Sequence, residues 1–179
     1  MAIDVVQNLG DDALQNLFDI IFPPFPGLIT GPDPIRFRIT NLSIPATGNT
    51  PYEVHYKTQM FTKPSGKVSM PNEFTFTFRV DKFWRIYTSF KNWKNIVADT
   101  RTGVLAEDVG IGIAGSIRVP VTVIASDSNG VPTGGKWLFE GCYVQELGEV
   151  GFDYTAGDPI TVDVTMAFMV MNDLLVSPV

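Results

Sequence analysis

Residues 73–98 read EFTFTFRVDKFWRIYTSFKNWKNIVA, and the apolar period changes once along them. Phe74, Phe76, Phe78 and Val80 alternate with Thr75, Thr77 and Arg79, the pattern of a strand with one buried face. From Asp81 on, Phe83, Ile86, Tyr87, Phe90, Trp93 and Val97 recur at three- and four-residue spacing. That spacing predicts an amphipathic helix over 82–97, about 24 Å long. Asp81 is the expected N-cap, its carboxylate accepting amides of the first turn. Asp99 and the Thr-Arg-Thr-Gly run after it supply the stop. No other stretch reads as a long helix with this clarity, so the rest of the chain is expected to be β structure that the helix covers.

Upstream, Ile35 to Leu42 alternates and predicts a strand, and 45–51 is a loop by its turn residues. Tyr52 to Thr62 alternates again. Lys63, Pro64, Ser65, Gly66, Lys67 and Val68, running on to Pro71, then read as a long loop. It joins two strands expected to pair as a hairpin, and a projecting loop of that length reaches for something. Asn16 to Phe22 fits a short strand or part of a helix, ended in either case by Pro23, Pro24 and Pro26. Downstream, 100–115 is weakly patterned. Ile117 to Ala125 is a strand in which Pro120 implies an edge or a bulge. Residues 126–135 form an exposed loop, and Trp137 to Leu147 is a strand carrying Glu140 and Glu146. Val150, Phe152 and Tyr154 make a short continuation. Ile160 to Met171, with Asp163 on its polar side, is the longest strand, and 172–179 is a tail. The expected architecture is mainly β with one long helix (α+β), a β-sandwich or barrel flanked by that helix, in one domain over 1–179.

The formal charge of −6 is unevenly spread. Residues 1–34 carry five Asp and no Lys or Arg, 35–98 hold ten basic against three acidic residues, and 99–179 hold three basic against eleven acidic. The spread is either scatter or a pair of complementary poles suited to copies meeting head to tail. The start, MAIDVVQNLGDD, lacks the basic region of a signal peptide, so a cytosolic origin is expected. No apolar run approaches the roughly 20 residues of a membrane span, and no membrane partner is expected. The single cysteine, Cys142, excludes an internal disulfide and a Cys-cluster metal site, and reads as a packed strand residue. His55, the only histidine, sits in an alternating strand and reads as a surface or interface residue. Residues 110–115 have the spacing GxGxxG, but a strand follows rather than a helix. Glu146 and Glu149 lack the frame of a calcium loop. No catalytic, cofactor-binding or metal residue is assigned, no cofactor is expected, and the chain does not read as an enzyme. Arg79, Lys82, Arg85, Lys91 and Lys94 cluster near Trp84 and Trp93. They form either a phosphate-binding face or a solvated, partner-facing side of the helix, and the acidic balance of the chain favours the latter.

Four blocks together resemble the tail tube protein of contractile-tailed bacteriophages. They are Asn16-Leu-Phe-Asp-Ile-Ile-Phe-Pro23, the hairpin with its long loop over Tyr52 to Val80, the aromatic helix DKFWRIYTSFKNW, and the ending WLFEGCYVQELGEVGFDYTAGDPITVDVTMAFMV. They span most of 16–171, and their order carries the resemblance more than any single motif. The same fold serves type VI secretion and R-type bacteriocin tubes. The resemblance implies hexameric rings stacked into a hollow tube, with strands joined edge to edge into one inner barrel. It favours a strand at 16–22 and sends the 63–68 loop to a neighbouring ring. It implies further copies of the chain, a tail sheath protein, a baseplate hub and a tape-measure protein as partners, in a virion tail assembled in the host cytoplasm. Genomic DNA would pass through the lumen without specific binding. Such a lumen is expected to be poor in Lys and Arg, since each neutralised phosphate adds affinity. By alternation Glu140, Glu146 and Asp163 are its candidates, with Arg79, Lys82, Arg85, Lys91 and Lys94 outside. The alternatives are the inner tube of a type VI-like or bacteriocin injection system and a monomeric ligand-binding β-barrel.

Overall fold

A computed structural model describes residues 17–29, 31–69, 71–99, 101–103, 116–127, 131–153 and 157–174. The expected extension over 1–15, the GxGxxG passage and the end of the tail lie outside the described residues. The elements in order are β1 (Phe18–Ile21), α1 (Asp33–Arg36), β2 (Ile39–Ser43), β3 (Gly48–Tyr56), β4 (Gln59–Ser69), β5 (Glu73–Arg79), α2 (Arg85–Val97), β6 (Val119–Ser126), β7 (Pro132–Leu147), β8 (Thr161–Ala167) and β9 (Val170–Asp173). The strand alternative for the first apolar run holds at β1.

The main sheet is seven-stranded and antiparallel, in the order β1-β6-β7-β8-β5-β2, with β9 also on β7. β8 and β9 follow the same edge of β7, from Leu147↔Val164 to Trp137↔Asp173. The expected long strand over 160–171 is thus one path with an interruption. There Phe168 turns into the core and the Met169 amide donates to the Glu140 carbonyl at 2.9 Å. Pairing on to Asp173 takes up the start of the expected tail. Pro120 sits at a bulge between Val119 and Val121, where β1, paired only with Thr122 to Ala125, leaves one side of β6 open among the described residues. Among the described residues the sheet does not close into a barrel, and β1 and β2 are its free edges. An Arg36–Asp19 ion pair ties α1 to β1.

The alternation in β5 buries Phe74, Phe76 and Phe78 against Val162, Val164 and Met166 of β8. Phe74 stacks on Phe139 of β7 at 4.5 Å between ring centroids. The proline-rich segment after β1 turns Phe22 and Phe25 onto α2, where Phe25 stacks on Trp93 at 4.6 Å. Phe90 of α2 reaches Phe22, Phe25, Phe76 and Phe78 within 6.0 Å. Each such ring, fully buried, contributes roughly 1.5–3 kcal/mol. Trp93 donates its Nε1–H to the Ile117 carbonyl at 2.8 Å, so its one polar atom is satisfied. Gly27 lies so close to α2 that a Cβ there would stand 2.8 Å from Asn92 Cβ, and its φ of +81° also favours glycine.

Several expectations are corrected. The helix begins at Arg85, not Lys82, and its 13 residues span about 20 Å. The N-cap position falls to Trp84 instead of Asp81, although the Asp81 carboxylate does accept an amide of the first turn, that of Ile86. The chain first makes a turn closed by the Trp84 amide on the Asp81 carbonyl at 2.9 Å. Trp84, in the left-handed region at φ 58°, then starts the helix. Phe83 is consequently outside the apolar stripe and 68% exposed. Residues 33–36 are a helical turn and not the start of a strand, because Pro34 presets the first-turn φ. Tyr52–Thr62 is not one strand and 63–68 is not a loop. β3 and β4 pair with each other as a separate two-stranded ribbon, Gly48↔Ser69 to Tyr56↔Gln59, turning at Lys57 and Thr58. β5 pairs instead with β2 and β8. The expected loops at 45–51 and 126–135 are shorter, since β3 starts at Gly48 and β7 at Pro132. The described part of 150–154 is not a strand.

Candidate functional site: the assembly surfaces

Three surfaces stand out, each built by alternation in the strands. The first is the polar face of β2, β5, β8 and β7. In register, Ser43, Thr75, Thr165 and Glu146 form one row across it, and Asn41, Thr77 and Asp163 a second. Arg79 and Thr161 form a third. The Thr77 hydroxyl donates to Asp163 Oδ1 at 2.6 Å, and the Thr75 and Thr165 hydroxyls lie 3.3 Å apart. These side chains are exposed or half-buried, while their neighbours in sequence fill the core. Glu73, opposite Ala167, continues the face along β5, so the face is dominated by hydroxyls and carries four charges, Glu73, Glu146, Asp163 and Arg79, one of them cationic.

This placement divides both candidate sets. Glu146 and Asp163 share the face. Glu140 is not beside them: it lies on the other half of β7, half-buried, accepting from Asn172 Nδ2 at 3.0 Å. Arg79, expected with the helix cations, is on the polar face with Asp163, because Phe78 points inward and the next residue must point out. Lys82 and Arg85 are exposed at the turn into α2, and the Arg85 guanidinium lies 4.8 Å from the Phe83 ring centroid. On α2, Lys91 is exposed and Lys94 half-buried. Trp93 is wholly buried and Trp84 packs edge-on against Tyr87 at 5.5 Å. With Trp93 buried, the helix does not offer the pair of stacking rings a nucleic-acid face would use.

The second surface is the β3–β4 ribbon, whose described side chains are nearly all exposed. One face presents Tyr52, Val54 and Tyr56 with Lys63, Phe61 and Gln59 opposite them. Tyr56 is 66% and Phe61 47% exposed. His55 lies on the other face, opposite Met60. Near the base, Ser65 and Gly66 form a bulge in which Gly66 takes a φ of +72° and the Ser65 hydroxyl bonds to the Thr50 carbonyl. A lone hairpin is marginally stable in water, so aromatic side chains along it imply a surface that covers them.

The third is an open trough of about 800 Å³ lined by Glu149, Phe152, Asp153, Asp158, Pro159 and Ile160. Phe152 is 75% exposed, and its ring centroid lies 6.1 Å from that of Trp84. The trough adjoins the Arg79/Thr161 end of the sheet, and the Val80 amide donates to the Ile160 carbonyl at 2.9 Å. The ribbon leaves from the other end, between Ser43 and Glu73. The trough was not legible in the sequence, because Phe152 and Ile160 read as strand residues while both lie in connecting segments.

Nothing in these surfaces resembles a reaction centre. Burial pushes the Cys142 thiol up to about 12, far from the thiolate a nucleophile needs. Among the described residues no three His, Cys, Asp or Glu side chains gather as metal ligands, and no helix is long and apolar enough to cross a membrane.

No protein-family model matches the sequence, and no curated protein matches it. Solved structures do match. A chain of the anti-feeding prophage tube-terminating cap superposes with a TM-score of 0.61 at 14% identity, covering 92% of this chain and 93% of that one. A chain of the sheath/tube terminator of an extracellular contractile injection system, PVC, gives 0.58 at 13% identity over 92% and 99%. A type six secretion system protein gives 0.51 at 10% identity over 87% and 80%. The chain has the fold of these proteins.

Proposed function

We propose that this chain, having the fold found in the tubes and caps of contractile injection machines, is a structural tube subunit that assembles with copies of itself as stacked hexameric rings. The observation that carries the proposal is the polar face of β2, β5, β8 and β7, bounded by the unpaired edge of β2. An open edge is a hazard for a monomer and a joint for a ring. A hydroxyl-rich face with few cations suits the wall of a conduit, since it offers a passing polyanion little affinity. Glu146 and Asp163 belong to that wall, and Arg79 belongs there with them. Lys82, Arg85, Lys91 and Lys94 face outward, toward neighbouring subunits or a sheath. The β3–β4 ribbon, with Lys63 to Val68 on its return strand, reaches the adjacent ring. The cargo is genomic DNA of a phage particle, and the tube works beside a sheath, a baseplate hub and a tape-measure protein.

A second reading is favoured by the cap and terminator structures among those superposed: a subunit that ends a tube instead of forming its length. Negative-stain electron microscopy with solution mass distinguishes the two. Stacked hollow tubes on concentration support the first reading, and rings that never stack alone support the second. A species that remains monomeric at every concentration overturns both.

A further inference from the structure

Two exposed surfaces stand at opposite ends of the same strands. The ribbon leaves at the Ser43/Glu73 end and the trough opens at the Arg79/Thr161 end. The two points lie about 20 Å apart along β5 at ~3.3 Å per residue. We infer that the apolar face of the β3–β4 ribbon of one copy docks head to tail in the 149–160 trough of another. The inference rests on the stacked-subunit reading and names the receiving surface that reading leaves open.

Chemistry matches the two surfaces. The ribbon carries Lys57, Lys63 and Lys67 against Glu53. The trough carries Glu149 and Asp158 on its lining. Between the charges, Tyr52, Tyr56 and Phe61 on the ribbon meet Phe152, Pro159 and Ile160 in the trough. Opposed apolar patches rimmed by unlike charge give burial together with register. Arg79, Lys82 and Arg85 are near the same end but are not among the trough's lining residues. They would repel the ribbon's lysines over β5, which confines docking to the β7–β8 side. Because the two surfaces differ and arise at opposite ends of β5, each docked copy offers a fresh ribbon and a fresh trough. The contact therefore propagates along an axis without closing on itself.

The test uses the full chain with Tyr56→Cys and Phe152→Cys together. Buried Cys142, its thiol pushed up to about 12, stays out of the reaction. Oxidising the assembled protein is expected to give a ladder of linked copies on a non-reducing gel, which neither single variant gives. In parallel, Glu149→Lys/Asp158→Lys and Lys63→Glu/Lys67→Glu are each expected to abolish stacking while rings persist. All four changes together are expected to restore it. Intact tubes with no ladder, and with every charge variant stacking like the parent, would overturn the docking and leave the tube reading standing. A link formed only within one copy would overturn the docking as well. Parent protein that yields neither rings nor tubes would overturn the tube reading first and the docking with it.

Discussion

Asp81 holds the start of α2 from outside the helix. Its Oδ1 accepts the Ile86 amide at 3.2 Å, from four residues before the first helical residue. Partial burial raises the carboxyl's pKa, but the amides of Ile86, Arg85 and Phe83 outweigh it and leave the group below the usual carboxylate range. A depressed pKa contributes stability that is present above the unfolded value of about 3.9 and is lost as pH falls through the folded value. Asp81→Ala is therefore expected to cost about 1 kcal/mol at neutral pH, the usual worth of a capping carboxylate. Urea unfolding at pH 7 and at pH 2.5 checks this, and the gap between parent and variant should shrink in acid. Asp81 was legible as a helix-starting residue from its place before the apolar stripe. Its reach past the left-handed Trp84 was not, because nothing in the local pattern marks a tryptophan for φ 58°.

At the scale of elements, legibility follows burial. β5 and α2 could be read because each puts one face into a core, and burial enforces a period. The ribbon could not be read, since neither of its faces is buried in the subunit and its alternation names no partner. Its turn also hides itself: Lys57 and Thr58 replace the Gly, Asn or Asp that usually mark a two-residue hairpin. Lys57 takes φ 54°, a conformation that costs an L-residue roughly 1–2 kcal/mol. Lys57→Gly is expected to firm the ribbon by somewhat less, because glycine also frees the unfolded chain. Slower amide exchange across β3 and β4, with α2 unchanged, would bear this out, whereas faster exchange would mean the lysine makes a contact that outweighs the strain. The reassignment of β5 from the ribbon to β2 and β8 has the same root. Strand pairing across the chain depends on partners distant in sequence, and a period announces a face but not a neighbour.

For the whole molecule, the charge segments of the sequence do not become two clean hemispheres. The basic middle segment supplies the ribbon at one end of β5 and Arg79, Lys82 and Arg85 at the other, while the acidic C-terminal segment supplies the trough beside them. The polar face likewise carries Arg79 along with Glu73, Asp163 and Glu146, so the wall it would form is mixed in sign and still mostly acidic. The ribbon has one more consequence, for the lifetime of the free subunit. It is an exposed, coreless arm in which Lys57 and Lys67 are cleavage points for trypsin-like proteases, while Lys63 is shielded by the proline that follows it. Brief trypsin treatment of dispersed protein is expected to cut first after Lys57 or Lys67, and the same dose applied to tubes should spare them, as read by mass spectrometry. Equal cutting in both states would mean the arm stays bare after assembly. A protease in the cell would then remove surplus copies and spare those already built in, so the arm would limit how many unused subunits accumulate.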